Sequence, residues 1–170
     1  MSEKTVQFNK KFFVTSIVIA VCFLLDRISK IYIINAFVEN DFKDQFINEF
    51  LNFTLIWNKG IAFGLFQSEA LFYHFISTVI LSIIFFIIFL IIKSKSVSEI
   101  VFFSMITGGA LGNLFDRFYY NAVPDFIDIH YENLHWFTFN VSDICISAGI
   151  ILLLIFDIFK LNKNIDEKNI

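Results

Sequence analysis

Residues 71–92 read LFYHFISTVILSIIFFIIFLII, an almost unbroken apolar run. A helix needs about 20 residues to cross the hydrocarbon core of a bilayer. Within lipid, a helical segment satisfies its own backbone hydrogen-bonding groups, which an irregular segment does not. The run therefore predicts a transmembrane helix and indicates the class of the whole protein.

Three more apolar runs of similar length lie on either side of this stretch, and together they predict an all-α membrane protein with four transmembrane helices. Residues 1–170 form one membrane domain in this interpretation. The predicted spans cover approximately residues 12–37, 70–92, 97–117 and 141–160, and the outer loops residues 38–69 and 118–140. Within the first loop, residues 50–57 alternate in a way that predicts one or two short strands. The expected fold thus includes a small β-containing extracytoplasmic loop between spans one and two.

The composition is that of a membrane protein and excludes a soluble protein. Hydrophobic residues make up 57% of the chain and the mean hydropathy is +0.71, whereas soluble domains contain about 45–50% apolar residues. The net charge is −3, and no block of basic residues is present that could follow a phosphate backbone. We therefore expect no nucleic-acid partner.

The lysines are distributed unequally between the two sides of the predicted spans. Cytoplasmic segments of membrane proteins carry an excess of Lys and Arg. One side has only Lys43, Lys59 and Arg117, and the other has eight lysines: Lys4, Lys10, Lys11, Lys93, Lys95, Lys160, Lys163 and Lys168. This bias predicts cytoplasmic N- and C-termini and places both long loops on the outer face. The first apolar run continues well past Cys22, so we expect a retained span instead of a cleaved signal peptide.

Two groups of polar residues interrupt the predicted spans. Charged residues within spans are costly to insert, by about 2.5–3.5 kcal/mol each, so they usually have partners and often functions. Asp26 and Lys30 are four residues apart on one helix face, which favours an ion pair that fixes packing; Lys30 could also hold the loop at Asn58. Asn113, Asp116 and Arg117 form a polar stripe at the end of span three, after small residues that permit close helix approach.

Two further carboxylates lie near the outer membrane edge. Pro124 restricts the backbone around it, so we expect Asp125 on a constrained turn. Asn140 and Asp143 have the spacing of a capping box at the start of span four. Helix capping by itself could account for the presence of Asp143, because a carboxylate in the first turn complements the helix dipole.

The common depth of Asp125 and Asp143 favours a catalytic pair instead. Two adjacent carboxyl groups do not both ionise, so one retains a proton. In that state the ionised group removes a proton from water while the protonated group polarises a scissile carbonyl. Asn113, Asn140 and Arg117 could orient the pair or hold substrate carbonyls.

At these residues the chain resembles the prolipoprotein signal peptidases, also called signal peptidase II. The resemblance covers nearly the whole chain and rests on five motifs in order: Asp26-Arg-Ile-Ser-Lys30, Asn58-Lys-Gly-Ile-Ala-Phe-Gly64, Gly108-Gly-Ala-Leu-Gly-Asn-Leu-Phe-Asp-Arg117, Val123-Pro-Asp-Phe126 and Phe139-Asn-Val-Ser-Asp143. It departs from the family at Ile61, where Ala is more frequent, and at Pro124, where Val is common. Neither departure removes a reactive group.

The resemblance implies an aspartic endopeptidase of the bacterial inner membrane, with its active site near the outer face and no cofactor or metal. Such enzymes remove signal peptides from prolipoproteins, cutting before a cysteine that carries diacylglycerol, and are inhibited by the cyclic peptide globomycin. We expect the chain to act as a monomer surrounded by membrane lipid. The implied catalytic residues are Asp125 and Asp143. The implied supporting residues are Asp26, Lys30, Asn58, Gly60, Asn113, Arg117 and Asn140.

Three alternatives remain open from the residues alone. A metal-dependent hydrolase could use Asp125, Asp128, His130 and His135, although their spacing matches no recognised ligand pattern. A serine protease would need a nucleophile beside His74, and none is obvious. A transporter using the polar stripe as a relay would be expected to show internal repeats or interrupted helices, which the sequence lacks.

Overall fold

The computed structural model of the chain describes residues 3–59, 70–132 and 134–166. Four of its helices are long and apolar enough to cross a membrane, which confirms the predicted fold class. The elements in chain order are α1 (Glu3–Glu39), β1 (Gln45–Asn48), β2 (Leu51–Asn58), α2 (Ala70–Lys93), α3 (Val97–Tyr120), β3 (Val123–Tyr131), β4 (Leu134–Phe139) and α4 (Val141–Asp166).

The first and last helices extend beyond the apolar runs that predicted them. Helix α1 begins at Glu3 and α4 continues to Asp166, whereas the runs begin near residue 12 and end near residue 160. Hydropathy detects only the apolar portion of a helix, which is the portion that lies in the hydrocarbon core of the bilayer. A helix can continue for several polar turns outside the bilayer because its backbone hydrogen bonds are internal.

Helix α3 is the central element of the bundle and packs against α1, α2 and α4. The glycines that predicted close helix approach are at these contacts. A Cβ atom placed on Gly112 would lie 2.7 Å from Oδ2 of Asp26 on α1 and would also collide with Oγ of Ser142 on α4. Gly112 therefore allows three helices to meet at the level of the polar residues.

Substitution of Gly112 by Ala should destabilise the protein by about 1–3 kcal/mol, because overpacking of a well-filled interior costs that much. It should also reduce activity by displacing the first turn of α4. Thermal unfolding in detergent, with Phe118→Ala as the control, measures the first effect. Phe118 is also on α3, but its side chain is exposed. Equal unfolding temperatures for Gly112→Ala and the wild type would contradict this account of the helix contact.

A four-stranded antiparallel sheet lies at the end of the bundle where α1 and α3 end and α4 begins. The strand order is β1-β2-β3-β4. Strand β2 pairs with β3 from Leu51 opposite Ile129 to Asn58 opposite Val123. Phe126 of β3 packs with Ile33 and Phe37 of α1, so the sheet is attached to the bundle through a buried apolar contact.

The second outer loop contributes half of this sheet, which the sequence analysis did not predict. Asp125 was expected on a turn, and this expectation is wrong: it lies on β3, paired with Ile56 of β2. Pro124 is tolerated because β4 pairs with β3 only from Ile127 onward, so among the described residues β3 has a neighbouring strand on one side only at Pro124. The alternation of apolar and polar residues over positions 127–131 was the available signal for a strand.

Candidate active site

Asp125 is positioned by hydrogen bonds to both oxygens of its carboxylate. Nδ2 of Asn140 donates to Oδ1 at 2.6 Å, and Nδ2 of Asn58 donates to Oδ2 at 2.9 Å. Asn58 is the last residue of β2, so adjacent strands supply the carboxylate and one of its donors. The Asp125 residue is only 5% exposed. The carboxylate is therefore buried but fully provided with polar partners.

Asp143 is held in the first turn of α4 by the predicted capping box, which the structure confirms. The backbone N–H of Asp143 donates to Oδ1 of Asn140 at 3.1 Å, and the backbone N–H of Asn140 donates to Oδ2 of Asp143 at 3.1 Å. Nδ2 of Asn113 on α3 donates to the other carboxylate oxygen, Oδ1, at 2.8 Å. Each oxygen of Asp143 thus accepts one hydrogen bond, as in Asp125.

Asn140 connects the two carboxylates. Its side-chain NH₂ group binds Asp125 while its backbone N–H and side-chain oxygen bind Asp143. The residue is completely buried and lies between the end of β4 and the start of α4. Because one rigid residue contacts both acids, their relative position is determined by the fold and not by flexible side chains.

The electrostatic environment favours a proton on this pair. The pKa of the Asp125 carboxyl is raised from its ordinary 3.8 to about 6. Burial is the largest cause, and the nearby charge of Asp143 adds to it. The hydrogen bonds from Asn58 and Asn140 stabilise the charged form and act in the opposite direction. The pair therefore retains a proton at a pH where an isolated aspartate would have lost it.

Removal of the Asn58 side chain should raise the pKa of Asp125 further, because a hydrogen bond to the charged form is lost. In Asn58→Ala, the alkaline limb of the profile of kcat/KM against pH should move to higher pH, since with the predicted catalytic roles of Asp125 and Asp143 this limb reports loss of a proton from the pair in the free enzyme. Asn48→Ala, on the neighbouring strand β1, is the control. An unchanged limb, or one moved to lower pH, would count against Asp125 as part of the titrating pair.

A buried cluster of charged side chains lies next to the two acids. Lys30 of α1 is fully buried, and its Nζ contacts Oδ1 of Asp26 at 2.8 Å and Oδ2 of Asp116 at 2.6 Å. It also donates to Oδ1 of Asn113 at 3.0 Å. The ion pair predicted for Asp26 and Lys30 is therefore confirmed, and Lys30 has further partners on α3. By binding the oxygen of Asn113, Lys30 directs the NH₂ group of that amide toward Asp143.

Asp26 and Arg27 extend this cluster to the helix that carries Asp143. The backbone N–H of Ser142 donates to Oδ1 of Asp26 at 3.0 Å, so Asp26 caps the N-terminus of α4 from a neighbouring helix. Arg27 pairs with Asp26 at 2.8 Å and with Asp116 at 2.5 Å. The sequence analysis did not single out Arg27, although a second charge beside Asp26 in an apolar run was an available signal.

The structure thus brings most of the predicted site residues together around the two acids. Asp26, Lys30, Asn58, Asn113 and Asn140 belong to one connected network with Asp125 and Asp143. Arg117 is buried in the last turn of α3. Gly60 and Ile61 lie outside the described residues.

Comparison with known proteins gives consistent matches over nearly the whole chain. A family model described as signal peptidase (SPase) II matches residues 18–159. A lipoprotein signal peptidase of Pelagibacter ubique is 45% identical over 161 residues, which are 94% of this chain and 96% of that protein. A lipoprotein signal peptidase of Anaplasma phagocytophilum is 38% identical over 154 residues, covering 89% of this chain and 96% of the relative.

Two solved structures, both described as a bacterial membrane enzyme, share the fold. One has a TM-score of 0.67 and covers 92% of this chain and 91% of its own. The other has a TM-score of 0.62 and covers 86% of this chain and 91% of its own. Both are 24% identical in sequence to this chain, so the likeness concerns the arrangement of helices and strands.

Proposed function

This chain belongs to the signal peptidase II family of membrane aspartic peptidases, and from that premise we propose that Asp125 and Asp143 are its catalytic pair. The single observation that carries the proposal is the binding of both carboxylates to Asn140. Membership in an aspartic peptidase family also favours this activity over that of a serine protease, a transporter or a metal-dependent hydrolase.

In the proposed mechanism, the two carboxyl groups share one proton. The ionised group removes a proton from a water molecule, which attacks the scissile carbonyl, while the protonated group donates to the carbonyl oxygen. The proton taken from water is then available to the departing amine. Attack by water requires no acyl intermediate, and the residues provided by β3 and α4 suffice for both proton transfers. Arg117 and Gly60 are proposed to assist in holding the substrate.

The proposed substrate is a prolipoprotein whose cysteine carries diacylglycerol, cut just before that cysteine. The names of the similar proteins support lipoprotein precursors as the substrate class. The location of the site adds support, since Asp143 lies in the first turn of one spanning helix and Asp125 follows the end of another. At this depth a peptide can reach the two acids while its attached acyl chains remain in lipid.

We propose that the site faces the outer side of the bacterial inner membrane and that both termini are cytoplasmic. At the end of the bundle away from the two acids, two contacts support the placement of the N-terminal part of α1, the connection between α2 and α3, and the C-terminal part of α4 on the same side of the membrane. Nζ of Lys11 near the start of α1 donates to the carbonyl of Ser94 at 2.7 Å, and Lys160 of α4 pairs with Glu99 at the start of α3 at 3.0 Å. Lysines concentrate at this end, and such an excess is typical of cytoplasmic segments.

The site network is formed within one chain, which supports a monomeric enzyme surrounded by lipid. Helices α1, α2 and α4 expose large apolar side chains along their length, as a lipid-facing surface requires. We further propose that globomycin-type inhibitors bind at the two acids and thereby compete with the peptide substrate.

The dependence of cleavage on substrate lipidation tests this function. Purified protein is incubated with a prolipoprotein that carries diacylglycerol on its cysteine and, separately, with the same precursor bearing an unmodified cysteine. We expect cleavage of the first only, and we expect globomycin to prevent it. Equal cleavage of both precursors would contradict the proposed substrate class, and cleavage of neither would contradict the proposed function.

A further inference from the structure

The hairpin of β3 and β4 brings together three metal-ligating side chains that are not part of the network around the two acids. Asp128 and His130 are two residues apart on β3 and therefore project from the same face of the sheet. His135 of β4 lies directly opposite His130. One ligand atom from each of the three residues lies within 4.8 Å of the others. The strand register thus creates a cluster that the sequence spacing did not reveal.

His130 has an unexplained polar atom within this cluster. The residue is 8% exposed, and its Nδ1 is buried without a hydrogen-bond partner among the described residues. Buried polar atoms in folded proteins almost always have a partner, and a metal ion is one of the groups that this ring nitrogen can bind. The imidazole rings of His130 and His135 also stack, with centroids 5.2 Å apart, which brings the nitrogen atoms of two side chains close together.

We propose that Asp128, His130 and His135 bind one divalent transition-metal ion of the Zn²⁺ class. Two imidazole nitrogens and one carboxylate oxygen suit Zn²⁺ and its neighbours, whereas Mg²⁺ and Ca²⁺ prefer oxygen ligands alone. Nδ1 of His135 now lies 2.7 Å from Oδ2 of Asp128. The side chain of His135 is 57% exposed, so it can rotate to place a nitrogen on an ion held by the two buried ligands.

The ion would fasten the hairpin that supports the two acids. Strand β3 also carries Asp125, and β4 leads directly into Asn140. A bond across the strands would therefore restrain the relative motion of the segments that position the carboxylates. An ion that binds only the folded protein also stabilises it in proportion to its occupancy. This role is structural and leaves the chemistry of water activation to Asp125 and Asp143.

Titration of the purified protein with Zn²⁺ tests the proposal, using competition with a chromophoric chelator and a preparation without a histidine tag. We expect one Zn²⁺ per chain, with no competition from excess Mg²⁺. His135→Ala should weaken binding by about 10-fold or more, since even residues that only support metal ligands contribute 10–100-fold. Because the side chain of His135 is exposed, His135→Ala should fold normally. Cleavage of a lipidated precursor by this variant checks that the protein is intact.

Two control variants and one spectroscopic measurement make the result specific. His74→Ala removes the third histidine, an exposed residue of α2, and should bind Zn²⁺ as the wild type does. Asp125→Asn should also bind normally, so that the metal result is independent of the proposed catalytic function. With Cu²⁺ as the probe, electron paramagnetic resonance should show coupling to two nitrogens in the wild type and one in His135→Ala. Equal Zn²⁺ affinity of the wild type and His135→Ala, or displacement of Zn²⁺ by Mg²⁺, would overturn the proposal.

Discussion

Replacement of Asp125 or Asp143 by Asn is expected to lower the rate of prolipoprotein cleavage by about 10³-fold or more. General acid–base groups contribute about 10²–10⁴-fold each, and two groups that share one proton act as a unit. The double variant should therefore be hardly slower than either single variant. Asn has nearly the shape of Asp and keeps one acceptor oxygen, so one of the two hydrogen bonds that each carboxylate accepts can re-form. The variants should consequently insert into the membrane and fold.

The matching control replaces Asp44, an exposed acid in the loop before β1, by Asn. This variant loses one negative charge on the same side of the protein and should cleave at the wild-type rate. Rates are measured on a lipidated precursor with equal amounts of each purified variant. Substantial activity in either Asp125→Asn or Asp143→Asn would remove that residue from the proposed catalytic pair.

Replacement of Lys30 by Met is expected to destabilise the protein by about 3–5 kcal/mol. This is the usual cost of removing one partner from a buried ion pair, because the remaining charge stays buried without compensation. Lys30 is fully buried and contacts both Asp26 and Asp116, each of which also pairs with Arg27. Asn113 would also lose the donor that orients its amide toward Asp143. We therefore expect reduced activity in the fraction that remains folded.

A second lysine provides the comparison for this prediction. Lys160 pairs with Glu99, and its side chain is 55% exposed; exposed pairs contribute about 0–1 kcal/mol. Lys160→Met should therefore unfold near the wild-type temperature in detergent, well above Lys30→Met. Combining Lys30→Met with Asp116→Asn should recover part of the lost stability, because the excess negative charge is reduced. If Lys30→Met and Lys160→Met unfold at the same temperature, the charged cluster does not have the role described for it.

The four helices were predictable because lipid imposes a simple requirement on sequence. A spanning segment must be apolar over about 20 residues, and each helix here contains such a segment. The capping box was equally predictable, since Asn140 and Asp143 interact within one helical turn and the spacing alone determines the contact. In both cases, local sequence contained all the physical information that was needed.

The sheet was only half predictable because strand pairing depends on distant residues. Strand β3 is completed by β2, about 70 positions earlier in the chain, and the register between them places Asn58 close to Asp125. The same limitation explains His130 and His135, which come together through the hairpin register and not through a recognisable spacing. A short strand is stabilised largely by its neighbours, so its own residues predict it weakly.

The contacts of the charged residues were also beyond sequence analysis. The four-residue separation of Asp26 and Lys30 correctly predicted their ion pair. It did not indicate that Lys30 also contacts Asn113 and Asp116 on another helix. The role of Gly112 depends on the same helix crossing. Such crossings are determined by the packing of whole helices, which no single motif encodes.

The most direct test of the proposed function is to identify the product that the purified protein forms from a diacylglyceryl prolipoprotein in the presence of a metal chelator. Mass spectrometry reads the new N-terminus. We predict a mature chain that begins with the lipidated cysteine, still formed in the presence of the chelator because the two acids activate water without a metal, and absent when globomycin is added. Cleavage at another position, or complete loss of cleavage with the chelator at a temperature where the chelated protein remains folded, would contradict a signal peptidase that works through Asp125 and Asp143.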